Sequence, residues 1–231
     1  MSHRNNFLVA RLDNKTAEQL SLHLRVADLR QGEVLAASYK RVQRVYFPHS
    51  GIISSVVEMK GGAIETGMIG HDGVFGAAQA LDHKMSLNKT VVHVPGVASV
   101  VDADRLCAMA DANHTLRRIL IEYELFFLAQ VQQTAACNAS HGIESRMCKW
   151  LLRMHDLAGA DLPLTQEYLA HMIGVRRTSI TEVAKDLQRK GMISYSRGRI
   201  HIDDIERIRK TSCGCHKKLN DHYERIVHAS D

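Results

Sequence analysis

Between Gln31 and about Asp104, apolar and polar residues alternate in short runs: GEVL, RVYF, GIISSVVEM, AIETGMI, TVVHV and VASVV. A two-residue period sends successive side chains to opposite faces of a strand. The breaks between the runs, HSG, KGG, GHDG and VPG, are rich in residues that accept turn conformations. No helix-length amphipathic stretch interrupts them. Strands at this spacing, without crossover helices, predict an antiparallel sheet closed on itself as a roll or barrel and argue against parallel βαβ units.

Beyond Asp104 the period changes. Leu116, Leu120, Tyr123, Phe127, Gln130, Thr134, Cys137 and His141 recur at alternating spacings of four and three, close to the 3.5-residue repeat of a coiled coil. A second stripe, Ile119 and Phe126, widens the apolar face of the first half. One long helix is predicted, covering the roll with one stripe and offering Leu116 through Cys137 to the same helix of a second chain. Polar Gln130 and Thr134 on that seam would fix register. A helix packed only on its own domain also fits the spacing. A third pattern, Ile143, Met147, Trp150, Leu151, Met154 and Leu157, ends at Gly159 and opens a new domain. The hinge is expected within NASHG, residues 138–142. The chain therefore divides into a roll with flanking helices (1–111), a long dimerisation helix (112–140) and a C-terminal domain (141–231).

That last domain contains LPLTQEYLAHMIGVRRTSITEVAKDLQRKGMISYSRGRIHI, residues 162–202. Thr165 is a good N-cap for a short helix carrying Tyr168, Leu169 and Met172 and stopped at Gly174. A second helix, from about Arg176 to Lys190, turns Ile180, Val183, Ala184 and Leu187 inward and closes at Gly191. Two short helices about a glycine turn, with basic residues opening the second, form a helix-turn-helix. Ile193 to Ile202 then alternates around Arg197-Gly198-Arg199, as a two-stranded wing would.

Length and charge sharpen this reading. The 231 residues are 45% hydrophobic and lack an 18-residue apolar run or a signal-peptide core at the N-terminus, so a soluble, cytoplasmic protein with no membrane contact is expected. The formal charge is +5, yet seven basic residues against two acidic ones between 176 and 199 already carry that excess. A helix entering the major groove N-terminus first would bring Arg176, Arg177, Thr178, Ser179, Thr181 and Lys185 to base edges and phosphates, with Thr165 beside them. Arg197 and Arg199 on the wing would meet flanking phosphates. Double-stranded DNA is the predicted partner.

The order of roll, long helix and winged helix-turn-helix resembles the cyclic-AMP receptor and Fnr (Crp/Fnr) family of bacterial transcription regulators over essentially the whole chain. The matching stretches are YFPHSGIISSVVEMKGGAIETGMIGHDGVFG, CNASHGIESRMCKWLL, LTQEYLAHMIGVRRTSITEVAKDLQRKGMI and SCGC. The resemblance implies an α+β fold whose antiparallel β-roll is a double-stranded β-helix of the cyclic-nucleotide-binding type. It further implies a homodimer on a pseudo-palindromic promoter site and contact with RNA polymerase. Family members commonly open the recognition helix with Arg-Glu-Thr or Arg-Glu-Ser, whereas this chain has Arg177-Thr178-Ser179, which points to a different operator. Arg176 stands where Ser or Thr usually caps, a loss of about 1 kcal/mol.

In cyclic-nucleotide members, a Gly-Glu pair holds the ribose and an Arg-Ser or Arg-Thr pair the phosphate. The best match here sets Gly76-Ala77 and Lys89-Thr90 at those positions. Ala77 supplies no acceptor and Lys89 no bidentate fork, so cyclic AMP is disfavoured. Lys89 on a solvated strand edge is the plainer reading. No cysteine precedes Cys107, which removes the N-terminal iron–sulfur site of the oxygen-sensing branch. Cys213, Cys215 and His216 make three potential metal ligands where structural zinc needs four. The roll histidines His49, His71, His83 and His93 lack the H-x-H pairing of a cupin-like metal site. No metal or cofactor is expected, and the family implies a regulator and not an enzyme. An architectural DNA binder without an effector, or a jelly-roll enzyme with an accessory DNA module, remains open at this level.

Overall fold

The computed structural model describes residues 2–60, 62–82 and 85–228, which leaves His83 outside the described residues. Two short helices, α1 (Phe7–Ala10) and α2 (Asn14–Ser21), precede a run of strands: β1 (Arg25–Leu29), β2 (Val34–Ala36), β3 (Lys40–Arg41), β4 (Arg44–Pro48), β5 (Ile52–Met59) and β6 (Gly62–Ile69). Helix α3 (Ala77–Leu81) separates these from β7 (Met85–Ser86), β8 (Lys89–Val94) and β9 (Gly96–Asp102). There follow α4 (Ala103–Ala112), α5 (His114–Ser140), α6 (Ile143–Ala158), β10 (Asp161–Leu162), α7 (Gln166–Ile173) and α8 (Arg177–Arg189). The chain closes with β11 (Ile193–Ser196), β12 (Arg199–Ile202), α9 (Ile205–Thr211) and α10 (Cys215–His228). Among the described residues no helix is long and apolar enough to cross a membrane.

The strands pair in the order β1-β9-β4, β2-β8-β5-β6 and β3-β7. Every register described among them is antiparallel, as the two-residue period without crossovers requires. Strand β1 lies before the segment whose alternation is legible: only Leu29 of its five residues is buried, so RVADL carries no clear apolar face. The chain forms two compact units, residues 1–56 with 68–127 and residues 57–67 with 128–231.

In the first unit Phe47, Ile52, Ile53, Met68, Leu106, Leu116, Leu120 and Tyr123 are almost completely buried. Asn6 pins α1 to the roll: its side-chain amide donates to the Pro48 and Gly73 carbonyls at 2.9 and 2.8 Å, and its oxygen caps Leu8. A Cβ at Gly73 would fall 2.1 Å from the Tyr123 hydroxyl, so only glycine admits that ring.

In the second unit α6 buries Met147, Trp150, Leu151 and Met154, the face read from the sequence. The break between α5 and α6 falls at residues 141–142, whereas the two units divide within α5, between Phe127 and Leu128. The wing has three strands where two were expected, because β10 pairs with β12 on the side opposite β11. Two residues were too few to show an alternation. The β5–β6 tip belongs to this unit, and there Glu65 accepts a hydrogen bond from the Tyr168 hydroxyl at 2.9 Å.

Candidate nucleic-acid interface

Helix α7 begins where Thr165 Oγ1 accepts from the Tyr168 amide at 3.1 Å. It ends at Gly174, whose left-handed φ of 70° costs glycine no Cβ clash. Leu169, Ala170, Met172 and Ile173 of α7 and Ile180, Ala184 and Leu187 of α8 are buried, so both helices spend their apolar faces on the module's interior. The opposite face of α8 is left for solvent.

Arg176 occupies the N-cap of α8 in extended conformation and makes no side-chain cap bond. The first-turn amides of α8 thus end beside three exposed residues, Arg176, Arg177 and Thr178, an arrangement that attracts phosphate through amide donors, helix dipole and side-chain charge together. Lys185 is exposed two turns further on. Ser179 is half-buried. Thr181 departs from its expected role: its hydroxyl is engaged internally, with Gln166 Oε1 at 2.7 Å and the Arg177 carbonyl at 3.0 Å. It ties α8 to α7. Thr165 keeps a hydroxyl proton to donate, since capping uses only its oxygen.

The wing turn joins Ser196 to Arg199 through Arg197 (φ 46°) and Gly198 (φ 78°). Two successive positive φ values match the twist of a two-residue hairpin and leave Arg197 and Arg199 exposed. Among the described residues, Arg176, Arg177, Lys185, Arg197 and Arg199 make no ion pair, whereas Arg189 pairs with Asp186 and Lys190 with Asp186 and Glu144. Within α8 and the wing, the unpaired exposed cations therefore stand at the start of α8, at Lys185 and on the wing, and the paired ones at the end of α8.

The predicted pairing seam of α5 is corrected by its burial. Leu116, Leu120 and Tyr123 lie inside the first unit, Gln130, Thr134 and Cys137 inside the second, and Phe127 is half-buried. Side chains already enclosed by their own chain have no area left for a partner. The large apolar residues exposed on α5 are Ile121, Leu125 and Leu128. With Gln132, Ala135 and Ala139, also exposed, they repeat the same four-three spacing on another face.

Of the candidate effector residues, Gly76 and Thr90 line a cavity of about 170 Å³ together with Ser55, Gln79, Ser86 and Glu124. Ala77 is buried in α3, and neither it nor Lys89 lines the cavity. Glu124, absent from the sequence-based candidates, accepts from the Ala78 amide at 3.1 Å. Burial raises its carboxyl to about 7, against that single favourable bond. His216, grouped by sequence with Cys213 and Cys215, instead meets Asp156 at 2.7 Å.

Comparison with known proteins agrees with this geometry. Residues 145–211 match the Crp-like helix-turn-helix domain. No curated protein matches the chain. The fold is shared with FixK2 from Bradyrhizobium japonicum (13% identity, 82% of this chain and 98% of that one, TM-score 0.70). It is shared also with a transcriptional regulator of the CRP/FNR family from Thermus thermophilus (18%, 81% and 98%, 0.66). A third is the c-di-GMP-responsive global regulator CLP of Xanthomonas campestris (16%, 82% and 99%, 0.66). At such identities the likeness is one of fold.

Proposed function

We propose that this chain, a Crp/Fnr-type regulator by its fold and its Crp-like helix-turn-helix domain, binds a pseudo-palindromic promoter site as a homodimer. The observation that carries the reading is the exposed positive charge of the helix-turn-helix domain: among its described residues Arg176 and Arg177 at the start of α8, Lys185 on its exposed face, and Arg197 and Arg199 on the wing make no ion pair, while Arg189 and Lys190 at the far end of α8 are paired. Arg177 with Thr178 reads base edges, Arg176 and Lys185 flank them on phosphates, and Arg197 and Arg199 add affinity without sequence choice. Exposed Ile121, Leu125 and Leu128 support pairing of two α5 helices. Such pairing sets two recognition helices about 34 Å apart, one turn of DNA. Bound there, the dimer contacts RNA polymerase.

The roll's cavity is the effector site in this reading, and its occupant is not a cyclic nucleotide. Among the described residues no cationic side chain lines it to meet a phosphate, and Glu124 brings a carboxyl. Selection of bound duplexes from a random pool tests the function. A two-fold symmetric consensus with half-sites one helical turn apart is expected. An enriched pool without symmetry, or none at all, refutes the dimeric reader.

A further inference from the structure

All five cysteine side chains are buried in the fold and form no disulfide. Three of them meet a histidine. Cys137 lies in the last turns of α5, and His141 follows four residues later, its amide bonded to the Cys137 carbonyl at 3.0 Å. Cys213 and Cys215 stand where the chain leaves α9 and enters α10. The ligand atoms of these four residues all lie within 4.8 Å of one another. The Cys137 and Cys213 sulfurs are 3.9 Å apart, as are the Cys215 sulfur and His141 Nδ1.

That spacing suits a single tetrahedral ion. Zinc bonds thiolate sulfur at about 2.3 Å, which places two sulfurs on one zinc about 3.8 Å apart. Donors gathered this closely surround one metal, whereas a cluster of several irons would hold them apart. Three sulfurs and one imidazole nitrogen make a complete structural zinc set. Cys213-x-Cys215 lacks the usual two-residue gap, yet Cys137 and His141, one helical turn apart, supply the other two corners.

A second, independent observation is the charge around the group. Lys149 is 3% exposed and Arg146 8% exposed, and among the described residues neither pairs with a carboxylate. The Lys149 ammonium donates to Thr134 Oγ1 at 3.1 Å and faces the thiols of Cys137, Cys213 and Cys215. The Arg146 guanidinium donates to the Ile173 carbonyl and faces Cys137 and Cys213. Burying two cations against three neutral thiols is costly. Three thiolates on a dication carry one net negative charge, which gives these cations their counter-ion. Gln133 Nε2 lies 3.1 Å from Cys215 Sγ and 3.8 Å from Cys137 Sγ, an N–H donor directed at sulfur as supporting groups in metal sites are.

We propose that Cys137, His141, Cys213 and Cys215 bind one zinc ion, which clasps the start of α10 to the end of α5 beside the α5–α6 hinge. Binding releases the three thiol protons. His141, exposed, is the side from which the ion enters.

The full-length protein, reduced and stripped of metal, is titrated with zinc alone and, in parallel, with cobalt(II). One zinc per chain is expected, and a cobalt spectrum with tetrahedral ligand-field and sulfur-to-cobalt charge-transfer bands. His141→Ala, at an exposed position, should stay folded by circular dichroism. It should lose more zinc affinity than the roughly 100-fold that loss of a supporting hydrogen bond costs at most. Cys137→Ser and Cys215→Ser should each weaken the cobalt charge-transfer band, while Cys148→Ser and His216→Ala bind as the parent does. The proposal is overturned if the reduced protein takes up neither ion. It is equally overturned if Cys148→Ser loses binding as Cys137→Ser does, or if the parent holds a Cys137–Cys213 disulfide and binds no zinc after its reduction.

Discussion

Arg177 and Arg197 carry equal charge but occupy different surroundings, and their substitutions separate two kinds of recognition. Arg177→Ala is expected to weaken specific binding by about 1–3 kcal/mol and relax choice at one base position per half-site. Arg197→Ala or Arg199→Ala should weaken all duplexes alike and reduce the salt slope by about 1. Fluorescence anisotropy on specific and random duplexes at several salt concentrations distinguishes them. An Arg177→Ala protein that still discriminates as the parent does places base reading elsewhere. Glu124 gives a pH test. Its folded carboxyl titrates near 7 against an ordinary 4.5, so the fold prefers the protonated acid. Its contribution is complete below about pH 4.5 and is lost as pH rises through about 7. Denaturant titrations across that range should show the parent losing stability relative to Glu124→Gln. Parallel curves would mean that the carboxyl is solvated. The arginines were legible because Gly turns and apolar spacing place them on one helix and one hairpin. Glu124 was not, since nothing local marks a glutamate in a long helix as facing a cavity.

Helix α5 shows how far periodicity reaches. Its sequence carries apolar residues on more than one face, and a helix of that kind is buried on more than one side. The pattern predicted the helix and its length to within a few residues, His114–Ser140. It did not decide which stripe turns inward, because Leu116-Leu120-Tyr123 and Ile121-Leu125-Leu128 have the same spacing. The two stripes make opposite predictions. Leu125→Asp should leave the monomer folded and shift the dimer to monomer in analytical ultracentrifugation, whereas Leu120→Ala should cost about 2–5 kcal/mol of stability through the cavity it leaves. A Leu125→Asp protein that remains dimeric moves the interface off this face.

At the scale of the whole molecule, the zinc site joins segments 76 residues apart in sequence, from Cys137 to Cys213. Metal that binds only the folded chain stabilises it by mass action, by about 4 kcal/mol when free zinc is a thousand times its Kd. A chelator should therefore lower the thermal midpoint of the parent and leave that of Cys215→Ser unchanged. Equal shifts in both would trace the effect to the chelator itself. By itself the sequence determined the antiparallel roll, the long helix, the helix-turn-helix and the arginines on it, because each is written in periods of two to four residues and in the conformational limits of single glycines. The tertiary structure decided which face of α5 is free, which side chains line the roll's cavity, and that Cys137 and His141 complete what Cys213 and Cys215 begin. Those outcomes depend on contacts between distant segments, and their energies leave no local pattern in the chain.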